Sequence, residues 1–345
     1  MTEELRQGRA TRSDVAKLAG VSSGVVSYVL NDGPRPVAAA TRRRVLDAVQ
    51  QLQYRPNASA KALRLNKTNV LGVLLPNIAN PFFAEFAREL ERAAHRKGRS
   101  LVIANTDLDH SLEPEQIRSL IDRGIDGLAL FGILDKELAT QAVDFGITVV
   151  SMDSQFKGSS IPTVLVDDFQ ASKAAVEHLQ AHGHRRIGYI GGPTELAVSH
   201  ERLNGWRAQA GLKLSDGELD MLAYTSVHTR SGGRKAALEI LSAATPPTAL
   251  LVSADIQAIG VLQACRELDI SVPEDLGIIS FDGTEEAAFS SPSLSSVTIP
   301  VEALAQAALD ALLTQHELIE TVLVPFELTL RESCGCGSRW AANPL

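Results

Sequence analysis

The chain has 345 residues, 45% of them apolar, and a formal net charge of -8, enough for two or three folding units at roughly 100–200 residues each. No stretch approaches the roughly 20 consecutive apolar residues of a membrane span. The opening "MTEELRQGRATRSD" lacks the apolar core of a secretory signal, so a cytoplasmic protein is expected. The charge is uneven: residues 1–68 carry twelve Lys/Arg against five acids, leaving 21 bases against 36 acids for the rest. A basic head on an acidic body points to a head that meets a polyanion.

In the head, Thr11-Arg12-Ser13-Asp14 has capping-box spacing and opens a short helix that stops at Gly20. Ser22 is placed to cap a second helix running to about Leu30, with Val26, Val29 and Leu30 inward at i, i+3, i+4. Its other face carries the rows Ser23, Ser27, Asn31 and Gly24, Tyr28. A third helix, "TRRRVLDAVQQLQY", turns Val45, Ala48, Val49 and Leu52 inward and starts with Arg42, Arg43 and Arg44. Two short helices joined by a glycine-containing turn, the second with a slim polar face, form a helix-turn-helix pattern. Ser23, Gly24 and Tyr28 would face base edges while neighbouring cations meet phosphate. An ordinary three-helix bundle with a polar surface fits the same periodicity.

From Asn69 onward, apolar runs such as "NVLGVLLP", "GLALF", "RIGYIGG", "ALLVSAD" and "LGIISFDG" alternate with amphipathic helical stretches. About ten strands of this kind over 260 residues predict two parallel sheets covered by helices, with a cleft between two lobes. Ligands in such sheets bind beyond the carboxyl ends of strands. Asn80, Phe82 and Phe83, Asp167 and Asp168, Asp255, and Asp282 fall at those ends, and Arg202 follows the "YIGGP" loop. Carboxylates, one guanidinium and aromatic rings suit a polyhydroxylated ligand. Strand-end aspartates also cap helices, so position alone leaves both roles open.

"DVAKLAGVSSGVVSYVLN", "TRRRV" and "LQYRPNASAKALR" resemble the head of the LacI/GalR family of transcription regulators, and the resemblance runs through "PNIANPFFAEF", "GIDGLALF", "ERLNGW", "DLGIISFDG" and "LTLRES". It implies a helix-turn-helix domain over 10–56, a hinge over 57–68 and a two-lobed periplasmic-binding-protein-like core over 69–338. The first lobe would take about 69–167 and 299–327, the second about 168–298 and 328–338. It implies DNA contacts from Thr11, Ser22, Ser23, Gly24, Ser27, Tyr28, Asn31, Arg42, Tyr54, Asn57 and Lys61, with Leu63 as a minor-groove wedge. It also implies an effector pocket lined by Phe82, Phe83, Asp167, Arg202 and Asp282, with Asn80 beside them. The chain departs from the family at Val25, where Thr is usual, at Ser13 for Tyr, at Ala38 for the Ser cap of the third helix, and at Asp168 for Asn. The stretch "NDGPRPVAAATR" is one residue longer than the family pattern.

The implied function is that of a non-enzymatic, dimeric repressor of a pseudo-palindromic operator, controlled by a small ligand in the cleft. A neutral sugar is the first choice of effector; a sugar phosphate would want an Arg/Lys cluster that the cleft lacks. A nucleoside or a partner protein stands behind it, and apolar Leu196 and Val198 argue against a purine. A solute-binding protein without DNA activity is the rival of the same fold. Nucleophile-elbow and P-loop motifs are absent, which leaves no support for an enzyme. No cofactor or metal is expected: His178, His182 and His184 read as a structural turn, and Cys334-Gly335-Cys336 without a second pair is a weak metal candidate. Val227 and His228 receive no role. No heptad follows the core, so no tetramer helix is expected.

Overall fold

The computed structural model describes residues 10–30, 36–55, 67–133, 135–152, 156, 160–314 and 321–336. The chain divides at Thr68 and Asn69 into two units.

The first unit is a three-helix head. Helix α1 (Arg12–Ala19) opens on the Thr11–Asp14 capping box, in which the Asp14 backbone N–H donates to the Thr11 hydroxyl and the Asp14 carboxylate accepts from the Thr11 backbone N–H. It closes on Gly20 at φ +62°, a left-handed turn that favours glycine. Helix α2 (Ser23–Leu30) follows, with the Val25 N–H on Ser22 Oγ. Helix α3 (Ala39–Gln51) starts at Ala38 without a side-chain cap. Val15, Ala16, Ala19, Val26, Val29, Val45 and Ala48 form the head's core, with Leu30, Val49 and Leu52 packed around it. The inward positions expected from periodicity are those the fold buries or half-buries. Val25 packs against this core as well.

The second unit holds two six-stranded sheets. The first is built from β1 (Val70–Leu75), β2 (Ser100–Asn105), β3 (Gly127–Leu130), β4 (Thr148–Ser151), β5 (Thr163–Leu165) and β11 (Thr321–Leu323), in the order β11-β5-β4-β3-β1-β2. All its pairings are parallel. The second is built from β6 (Ile187–Gly191), β7 (Ala223–Thr225), β8 (Ala249–Val252), β9 (Gly277–Asp282), β10 (Ser295–Thr298) and β12 (Glu327–Thr329), in the order β12-β10-β9-β8-β6-β7. Only β12 runs antiparallel, against β10. The chain thus leaves the first lobe after β5, returns after β10, and crosses once more between β11 and β12. Among the described residues twelve strands appear where about ten were expected; the short edge strands β7, β11 and β12 have little apolar signal.

Both faces of each sheet are covered. In the first lobe, α4 (Pro81–Arg96) and α13 (Val301–Leu313) lie on one face, with Phe86, Leu90, Leu309 and Leu312 in that core. Helices α5 (Glu113–Asp122) and α6 (Lys136–Asp144) cover the other through Ile117, Leu120 and Leu138. In the second lobe, α7 (Asp168–Ala181) and α8 (Ala197–Ala210) bury Val176, Leu179 and Trp206 on one face. Trp206 is fully buried, stacks on Tyr189 at 5.5 Å and donates its indole N–H to the Ile187 carbonyl. The other face carries α10 (Arg230–Leu241) and α11 (Asp255–Glu267), around Ile240, Val261 and Leu262, and the short helices α9 (Asp216–Asp220) and α12 (Glu285–Phe289) precede β7 and β10.

Helices α10 and α11 touch backbone to backbone. A Cβ on Gly260 would sit 1.9 Å from the Arg230 carbonyl oxygen, well inside van der Waals contact. Gly260→Ala therefore forces the helices apart, and urea unfolding should show a loss of roughly 1–3 kcal/mol. An unchanged midpoint would contradict this packing.

Candidate functional site between the two lobes

The cleft lies at the carboxyl ends of the strands of both sheets, a volume of about 890 Å³ including open space. Each lobe brings a different chemistry to it.

The first lobe supplies rings. Asn80 caps α4, its side-chain oxygen accepting from the Phe82 N–H at 3.2 Å, so the helix starts where β1 ends. That places Phe82 and Phe83 against Phe131, which follows β3. The three centroids lie 5.2–6.3 Å apart in edge-to-face contact. Met152, Val164, Val166, Ile299 and Leu304 complete an apolar wall.

The second lobe supplies charge. Arg202, on α8 and only 7% exposed, donates from Nε to Asp168 Oδ1 at 2.7 Å and from Nη1 to the Ser253 carbonyl at 2.5 Å. Its Nη1 stands 3.9 Å from Asp282 Oδ1, and its guanidinium lies 4.2 Å from the centroid of the Phe281 ring. Asp282 has φ +106°, a backbone region that side chains other than glycine rarely adopt. Its Oδ2 is buried with no hydrogen-bond partner. The cleft wall thus carries a buried carboxyl oxygen without a partner, on a residue whose backbone holds a rarely populated conformation. Burial raises the Asp282 pKa well above the ordinary carboxylate value, helped by the Asp255 charge and opposed by Arg202. Burial raises Asp168 too, against the pull of Arg202.

His228 closes this side, with its Nε2 3.2 Å from Ser253 Oγ. Ser253 Oγ donates to Gln257 Oε1, and Gln257 Nε2 donates to the Gly191 carbonyl and to Ser226 Oγ. The chain ties the ends of β6, β7 and β8 to α11. Gly192 makes room for it, because a Cβ there would stand 2.1 Å from the His228 ring. Burial, and then the Arg202 charge, push the His228 pKa down to about 4.

The structure brings Asn80, Phe82, Phe83, Arg202 and Asp282 together in one lining, as expected from sequence. Asp167, expected beside them, is not among the lining residues. It caps α7, accepting from the Gln170 N–H at 3.0 Å, and its neighbour Asp168 lines the cleft in its place. Asp255 is likewise spent inside the lobe: it accepts from Ser280, Ser296 and the Thr284 N–H and hydroxyl, which holds the loop after β9. Phe131, His228 and Asn77 line the cleft without having been singled out from sequence. Leu196 and Val198 are in the lining and add no polar side chain.

On the head, Thr11, Ser22, Gly24 and Arg42 are exposed, and Ser23, Ser27, Tyr28 and Tyr54 are part-exposed. Asn31, Asn57, Lys61 and Leu63 lie outside the described residues.

Comparison with known proteins joins these two units to one family. A model of the bacterial regulatory proteins of the lacI family matches residues 11–57, and one of a periplasmic binding protein-like domain matches 176–334. The ribose operon repressor of Escherichia coli (strain K12) is 33% identical over 327 residues, 93% of this chain and 97% of that one. The chain belongs to the lacI family. This regulator has the fold of the lac repressor dimer bound to operator and the anti-inducer ONPF, with TM-score 0.84 at 24% identity over 95% of this chain and 99% of that chain. It is also similar to a cellobiose complex of the transcriptional regulator CelR, at TM-score 0.68 and 26% identity over 94% of this chain and all of that one. The regulator is thus a DNA-binding transcription factor with a ligand-binding core. Among its described residues no helix is long and apolar enough to cross a membrane.

His228 gives the folded regulator a measurable acid sensitivity. Its native pKa near 4 lies below its ordinary 6.5, so the unfolded chain binds the extra proton between those values. The stabilisation is complete above pH 6.5 and is lost as pH falls towards 4, by about 3 kcal/mol in all. His228→Gln should flatten that part of a urea-unfolding series measured from pH 7.5 to 4.5. Parallel curves for the two proteins would contradict a neutral, part-buried imidazole.

Proposed function

We propose that this regulator is a repressor that binds its operator as a dimer through Thr11, Ser22, Ser23, Gly24, Ser27, Tyr28, Asn31, Arg42, Tyr54, Asn57, Lys61 and Leu63. Its cleft takes a neutral sugar whose binding changes operator affinity. The observation that carries the effector class is the pairing of unlike walls. A stack of phenylalanine edges and faces stands opposite Asp168, Arg202 and the unpartnered Oδ2 of Asp282. A pyranose or furanose ring presents C–H groups on one face and hydroxyls at its rim, and both halves of that chemistry are met. Arg202 is the only Lys or Arg among the lining residues, and both Asp168 and the Ser253 carbonyl already engage it. A sugar phosphate would add a dianion beside two aspartates, and among the described lining residues no uncommitted cation stands ready to receive it. The lining offers no polar side chain at Leu196 or Val198 for the edge of a purine. The names of the similar proteins, a ribose operon repressor and a cellobiose-bound regulator, agree with a carbohydrate.

Ligand between two lobes biases the angle at which they close, and DNA affinity follows to the extent that operator and sugar favour different angles. On the head, the phosphate-facing role of Arg42 rests on its exposed place near the start of α3, and the base-facing role of Ser23 and Tyr28 on the outer face of α2.

Two measurements test this. Thermal unfolding with a panel of mono- and disaccharides, their phosphates and nucleosides should give a shift of several degrees for one neutral sugar. At 100 times its dissociation constant a ligand contributes about 2.7 kcal/mol. Asp282→Asn and Phe83→Ala should each remove most of that shift; a shift from nucleosides or phosphates alone would overturn the assignment. For the head, operator affinity measured against salt should fall steeply, and Arg42→Ala should reduce the slope of log K against log salt by about 1. An unchanged slope would remove Arg42 from the phosphate contacts.

A further inference from the structure

Far from the cleft, four side chains that sequence treats as two unrelated motifs come together. His178 and His182 stand four residues apart at the end of α7, so both rings project from one face of its last turn. Their centroids are 4.6 Å apart. Facing them is Cys334-Gly335-Cys336, the segment that follows β12. A short 3₁₀ turn (Glu332–Cys334) ends on Gly335 at φ +83°, and this reversal turns both thiols to the same side. Cys336 Sγ lies 3.3 Å from His178 Nε2 and 3.3 Å from His182 Nε2. The donor atoms of His178, Cys334 and Cys336 all fall within 4.8 Å of one another.

We propose that His178, His182, Cys334 and Cys336 form a zinc site that fastens the segment after β12 to the end of α7. Two thiolates and two imidazoles are a donor set that zinc takes in a tetrahedron, with Zn–S near 2.3 Å and Zn–N near 2.0–2.1 Å, so S···N edges are about 3.6 Å. The two Cys336–imidazole separations are close to such edges; His182, outside the 4.8 Å group, turns inward towards Cys334 to complete the shape. Neutral S–H···N hydrogen bonds would account for one or two of these contacts. They do not account for two thiols and two imidazoles converging from segments 154–158 residues apart. On binding, each thiol gives its proton to solvent and the ion takes the sulfur lone pair. The other end of α7 lines the cleft, and fourteen helical residues span about 21 Å. The ion therefore does not touch the effector; it anchors the helix whose first residue, Asp168, holds Arg202.

The test uses the full-length protein, reduced and freed of metal by chelator dialysis, titrated with Co²⁺ and then Zn²⁺. One Co²⁺ per chain should give thiolate-to-metal charge transfer with the visible bands of a tetrahedral site, bleached by one equivalent of Zn²⁺. Cys336→Ser and His182→Asn, at exposed positions, should weaken zinc about 100-fold or more, on the scale by which even outer-shell changes tell. Both should leave the metal-free melting temperature unchanged, whereas zinc should raise that of the wild type by several degrees and not that of Cys336→Ser. Cys265→Ala, in a different core, should bind as wild type. Absence of thiolate charge transfer, or an undiminished signal in Cys336→Ser or His182→Asn, would overturn the site.

Discussion

Arg202 sits buried between Asp168 and Asp282 with its guanidinium over Phe281, and the shape of the cleft depends on that charge pairing. Two carboxylates at strand ends repel each other and resist burial; one guanidinium with a fixed fork lets both stay. The residual imbalance, one positive charge between two acids, leaves Asp282 Oδ2 without a partner. The polar wall of the cleft is thus held by buried charge pairs, beside which a further negative charge would be unfavourable.

The two lobes are prepared to unequal degrees. In the second, Asp255 and Gln257 on α11 lock the loops after β9, β6 and β7, so the polar wall is held by buried hydrogen bonds before any ligand arrives. In the first, the wall combines rings in edge-to-face contact and aliphatic side chains with Asn77 and Asn80, whose side-chain oxygens accept from the turn that leads into α4. The charged side chains of the cleft thus lie in the second lobe and its phenylalanines in the first.

Much of the architecture was legible because the physics is local. The head's helices announce themselves through the Thr11 box and the spacing of Val26, Val29, Val45 and Ala48. Strands buried on both faces read as unbroken apolar runs, which is why the centre of each sheet was visible and edges such as Ala223–Thr225 were not. The cleft was legible as a set of strand ends, yet Asp167 and Asp168 are adjacent and chemically identical. Which one caps α7 and which turns to Arg202 is decided by the exit angle of the chain from β5, a tertiary matter. His228 was invisible because its partners Ser253 and Gln257 and the space at Gly192 come from distant segments. The cluster of His178, His182 and the C-terminal thiols depends on the same long-range meeting; its local traces, the four-residue spacing of the histidines and the Cys-Gly-Cys segment, gave no sign that the two belong together.

The triple crossing between lobes also bears on how the protein is made. Helix α13, which seals one face of the first sheet, is encoded after nearly the whole second lobe, and the last strands of both sheets emerge within nine residues of each other. On the ribosome the head can close early from its own contiguous helices, whereas each lobe stays open along one edge until β11 and β12 have been made. Neither lobe is a contiguous stretch of chain, so no single cut yields one of them intact, and premature termination near residue 300 would leave two incomplete sheets with unpaired edges.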